Sequence, residues 1–129
     1  MLGWGLTDMS DPNSAPSNLM AAYMPLRPYT ACSRRIANYN PYLMLCAGDD
    51  YNAAVCSGDS GGPLMTEDPA TGVFYIAGVT SYGQPCKLVG SASVFANVAG
   101  ATLGGFVSTY AKQLQDAADA TVSQTRAAP

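Results

Sequence analysis

Cys56-Ser57-Gly58-Asp59-Ser60-Gly61-Gly62-Pro63-Leu64 is the stretch on which the reading of this 129-residue chain turns. Glycines stand close on either side of Ser60, and their small size leaves the backbone free to approach a substrate carbonyl. A serine hydroxyl is a weak nucleophile until a neighbouring base takes its proton, and the usual base is an imidazole. The chain contains no histidine, so it carries half of an active site.

Working outward, the length suits one domain, which at this size buries about two thirds of the surface of its unfolded chain. Thirteen glycines and nine prolines with 12% charged residues point to short strands and many turns. A net charge of -3 offers no basic patch for nucleic acid. Nothing resembles a membrane span, and Met1-Leu2-Gly3-Trp4-Gly5 lacks the regions of a signal peptide, an expectation that the chain starts in mid-protein. Cysteines at 32, 46, 56 and 86 permit three pairings, among which spacing does not choose. A metal site is disfavoured, since there is neither Cys-x-x-Cys nor histidine, and no cofactor is implied. Disulfides are expected, in an oxidising compartment.

Residues 6 to 17, rich in Ser, Asp, Asn and Pro, read as an exposed loop. Leu19 to Leu26 is apolar enough for a strand, with Pro25 suited to an edge. Tyr29 to Ile36 reads as a short helix and Leu43 to Cys46 as a strand. Leu64-Met65-Thr66 and Val73 to Tyr82 flank the hairpin turn Glu67 to Gly72. A second turn at Gln84-Pro85 leads to a strand at 94 to 98. Leu103, Phe106, Val107, Tyr110, Ala111 and Leu114 recur at helical intervals and predict a terminal helix packed against the domain. The domain thus spans 1–115, and the small, polar, Ala-rich segment 116–129 reads as a disordered tail.

Gly-Asp-Ser-Gly-Gly-Pro after a cysteine resembles the nucleophile loop of the trypsin/chymotrypsin family of serine endopeptidases. Other segments resemble that family in its order: Gly3-Trp4-Gly5, Met44-Leu45-Cys46-Ala47-Gly48, Val79-Thr80-Ser81-Tyr82-Gly83 before Cys86, and Val94-Phe95-Ala96-Asn97-Val98. Tyr82 stands where tryptophan is commoner. The resemblance implies an all-β fold, a six-stranded antiparallel Greek-key barrel with a C-terminal helix, corresponding to the family's second barrel. It also implies the bridges Cys32–Cys46 and Cys56–Cys86.

By the same resemblance Ser60 is the nucleophile, and the N–H groups of Gly58 and Ser60 form the oxyanion hole. The base and its orienting aspartate belong to a first barrel that these residues lack. A Ser-Lys pair using Lys87 or Lys112 has no support in their spacing. Asp59 is the structural residue that pairs with a released amino terminus; without that terminus it is expected to face solvent or be neutralised. Substrate is expected along Ser81, Tyr82 and Gly83, with Ala54 at the pocket base and Ser93 on its side. Such a pocket has no fixed charge and reduced depth, favouring Leu or Met over Trp, Lys or Arg. These implications describe a secreted protease acting on polypeptides, inactive as this chain alone, with a catalytically inactive protease-derived binding module as the alternative.

Overall fold

In the computed structural model, residues 1–48, 53–83, 86 and 92–126 are described, with side chains of the last helix through residue 117. The order is β1 (Leu2–Gly3), β2 (Met20–Ala21), α1 (Tyr29–Ser33), β3 (Met44–Ala47), β4 (Pro63–Glu67), β5 (Phe74–Gly83), β6 (Ser93–Asn97) and α2 (Ala101–Arg126). All strand pairs are antiparallel. The expected six strands are present among the described residues, divided between a four-stranded sheet, β3-β6-β5-β4, and the pair β1-β2.

The β4–β5 hairpin shows how local chemistry builds the sheet. Asp68 closes the turn by accepting bonds from the Ala70 N–H and the Thr71 hydroxyl, both at 2.9 Å. Gly72 supplies the left-handed step, φ 70°. The segment expected as a strand from Leu19 to Leu26 forms a strand at Met20–Ala21 alone. Pro25 lacks an N–H for a ladder, and the chain instead crosses to β3, where Leu26 bridges Ala47 and Arg27 N–H donates to the Cys46 carbonyl at 2.9 Å.

Alternation along β6 divides the core in two. Phe95 packs with Met24, Ala47, Val55 and Leu64, while the adjacent Val94 packs with Cys32, Ile36, Cys46 and Ala92. The second cluster contains the Cys32–Cys46 bridge, with Cα atoms 6.1 Å apart. Gly78 lies over Phe95, and a Cβ there would stand 2.9 Å from the Phe95 Cβ.

The terminal helix corrects one expectation. Phe106, Val107, Tyr110 and Leu114 are exposed, so the apolar stripe is not packed on the described residues; only Leu103 and Gly104 near the helix start are half-buried. The helix itself continues through Arg126. Alanine's high helix propensity and the Lys112–Asp116 ion pair, 3.2 Å at i,i+4, favour that continuation. The turn at Gln84-Pro85 and Lys87 lie outside the described residues.

Candidate active site

The Ser60 loop leaves the first core through Val55 and enters β4 at Pro63. Its turn is made by Asp59 N–H donating to the Cys56 carbonyl at 3.1 Å and Gly62 N–H to the Asp59 carbonyl at 2.9 Å. Gly58 and Gly61 adopt φ of 98° and 82°, a region costly for residues with a Cβ. Thr80 of β5 clamps the far side: its N–H and hydroxyl donate to the Gly62 carbonyl at 2.9 and 3.0 Å, and its carbonyl accepts from Gly61 N–H at 3.0 Å. The Cys56–Cys86 bridge, Cα atoms 5.2 Å apart, fastens the loop's start to the chain beyond β5.

Ser60 stands exposed at the crest of this turn. Neither its N–H nor that of Gly58 donates to any described residue, so two amides are left available beside the hydroxyl. Developing negative charge on a carbonyl oxygen is stabilised by preorganised donors of this kind, each worth about 2.7 to 4 kcal/mol in acyl transfer.

Asp59 points the opposite way and is 8% exposed. It neither faces solvent nor meets a charged partner among the described residues. Its Oδ1 accepts from Gly5 N–H at 2.8 Å and its Oδ2 from Cys56 N–H at 2.9 Å. Gly3 and Gly5 crowd the carboxylate so closely that a side chain at either would collide with it. The Gly-Trp-Gly segment therefore acts as a cradle, and Leu6 N–H donating to the Ser57 carbonyl at 2.8 Å extends the seam.

A cavity of about 220 Å³ opens beside Ser60. Ser81, Tyr82 and Gly83 line it, together with Val55, Ser57, Thr80 and Met9. A bulge between Thr80 and Tyr82 shifts the β5–β6 register at this point and bends the strand along the cavity. Ala54 and Ser93 are not among its described lining residues. Ser93 is buried behind the wall, where its hydroxyl accepts from Val55 N–H at 3.1 Å. Val55, whose N–H makes that bond, does line the cavity. Its γ2 carbon lies 3.1 Å from where a Cβ on Gly83 would stand. Tyr82 hydroxyl donates to the Met44 sulfur at 3.7 Å, steadying the ring at the rim. Sequence reasoning missed Met9, Val55 and Thr80; adjacency to Ala54 and Ser81 was the available signal for the last two.

The geometry defines a class: an antiparallel β domain presenting a serine on a glycine turn, with free amides and a side-chain cavity beside it. The family model described as Trypsin matches residues 1–103, and the chain belongs to that family. It is 35% identical to the Spaetzle-processing enzyme of Drosophila melanogaster over 119 residues, covering 88% of this chain and 28% of that protein. It is 33% identical to a trypsin of Saccharopolyspora erythraea, covering 76% of this chain and 40% of the relative. With the proclotting enzyme of Tachypleus tridentatus it shares 37% identity, covering 74% and 25%. The chain therefore spans between a quarter and two fifths of the length of these relatives.

Proposed function

We propose that this chain is the nucleophile-bearing C-terminal half of a secreted serine endopeptidase, cleaving polypeptides through an acyl-enzyme on Ser60. The observation that carries this reading is the turn at Ser60, which stands exposed next to a cavity while the Gly58 and Ser60 N–H groups donate to no described residue. In the acylation step Ser60 Oγ bonds to the scissile carbonyl carbon as its proton passes to a base. The carbonyl oxygen takes up negative charge against the two amides. Collapse expels the amine, which receives the proton back from the base, and water then hydrolyses the ester by the same route. On this reading the base is supplied by a first barrel outside these residues; this chain has no histidine, and Lys112 is paired with Asp116 on α2. No described helix is long and apolar enough to cross a membrane.

Fluorophosphonate labelling tests the proposal. A protein joining this chain to a His- and Asp-bearing first barrel is expected to label at Ser60 and to lose both labelling and peptide hydrolysis in Ser60→Ala. The 129-residue chain alone is expected to show neither, because loss of the base costs roughly a millionfold in turnover in a comparable enzyme. Strong labelling of the chain alone would require another base; no labelling of the two-barrel protein would leave the binding-module reading.

A further inference from the structure

We infer that Met9 is a specificity-determining residue, forming with Val55 the apolar surface that grips an uncharged aliphatic side chain of the substrate in the cavity beside Ser60. The inference rests on the protease reading for the ligand being a peptide. Every other described residue lining this cavity belongs to the nucleophile loop, its disulfide or β5; Met9 arrives from the segment that composition marks only as an exposed loop.

That loop is built to hold a position. Thr7 N–H and hydroxyl donate to the Ser14 carbonyl at 3.3 and 2.9 Å. Asp8 N–H donates to the Ser14 hydroxyl at 2.9 Å, which donates in turn to the Asp8 carbonyl at 2.8 Å. Ser10 donates to the Asp8 carboxylate through both its N–H and its hydroxyl, at 3.0 and 2.6 Å. The bonds therefore fix the backbone immediately before and after Met9. At the root, Leu6 N–H is bonded to Ser57, itself a cavity residue.

Met9 is 52% exposed and lines the cavity, so it keeps surface free for a ligand to cover. An unbranched, polarisable thioether adapts to the shape it touches. Val55 is its complement: β-branched, buried, and tied through its N–H to Ser93. One adaptable and one rigid apolar surface suit a Leu- or Met-sized side chain. The close approach of Val55 to Gly83 limits the depth open to an indole.

The test uses the 129-residue chain as Ser60→Ala, labelled with ¹³C at the methionine methyls, with Met9 assigned through Met9→Leu. N-acetyl-leucine amide is expected to shift the Met9 methyl saturably, and to bind at least about fivefold more tightly than N-acetyl-lysine amide or N-acetyl-tryptophan amide. Met9→Ser is expected to weaken the leucine probe about five- to tenfold, read at the Val55 amide, below the roughly 10- to 200-fold that a methylene is worth in an enclosed pocket. Met9→Leu is expected to retain it, separating lost contact from lost fold. The inference is overturned if Val55 and Gly83 respond while the Met9 methyl does not, if Met9→Ser binds undiminished, if the lysine or tryptophan probe binds as well, or if no resonance moves. None of these outcomes depends on catalysis, which stands or falls on Ser60 labelling in the two-barrel protein.

Discussion

Asp59 and Ser60 are adjacent in sequence and opposite in exposure, and the turn that separates them depends on glycines far away in the chain. Gly5→Ala would drive a methyl into the buried carboxylate. Overpacking of this kind costs about 1 to 3 kcal/mol. Urea denaturation is expected to show that loss, and the two-barrel protein carrying Gly5→Ala is expected to label more slowly at Ser60. Ser93→Ala is a second residue-level case. It removes the acceptor of the buried Val55 N–H, and an orphaned donor costs about 1 to 3 kcal/mol. Its denaturation midpoint is expected to fall even though Ser93 does not line the cavity. The Ser60 turn was legible because its chemistry is contiguous. The Asp59 cradle was not, because Gly3-Trp4-Gly5 shows its purpose only once a contact spanning 54 residues forms.

Among the elements, the β4–β5 hairpin carries a pH signature. The Ala70 backbone N–H, followed by the Thr71 hydroxyl, holds the Asp68 carboxyl below its ordinary value. Since the folded value is lowered, this stabilisation is complete above the unfolded carboxylate pKa of about 3.9 and disappears as pH falls through the folded value. Wild type is expected to exceed Asp68→Ala in thermal midpoint at neutral pH, with the difference shrinking on acidification below that range. Equal differences at both pH values would remove the assigned cause. The hairpin was readable from Asp68-Pro69-Ala70-Thr71-Gly72, since turn chemistry is local. Strand β2 was not, because the apolar run from Leu19 says nothing of the crossing at Pro25 that delivers Leu26 to β3. The helical period of α2 was equally plain, whereas periodicity cannot say what a stripe will meet.

For the molecule as a whole, runs of exposed apolar residues occur on α2 and at the start of β5. Phe106 is 58% and Leu114 74% exposed, and Phe74, Tyr75 and Ile76 are open in succession. Contiguous surface of this kind promotes association. Sedimentation velocity of the isolated chain is expected to show concentration-dependent self-association that Phe106→Ser with Leu114→Ser reduces. A monomer at all concentrations would sink this prediction. Covalent bridges act at the same scale. With partners 14 and 30 positions apart in sequence, each is expected by the loop-entropy account to contribute roughly 3 to 4 kcal/mol.

The seam between Gly5 and Asp59 makes the turn at Ser60 a late event in the life of the chain. The first strand meets the Ser60 segment across 54 residues, and that segment is in turn held by Thr80 and bridged to Cys86. Closing such long loops is entropically slow compared with forming the hairpin at Asp68. A half-folded chain thus presents Ser60 on an unshaped loop, and the arrangement of hydroxyl, amides and cavity arrives only when contacts far apart in sequence have closed.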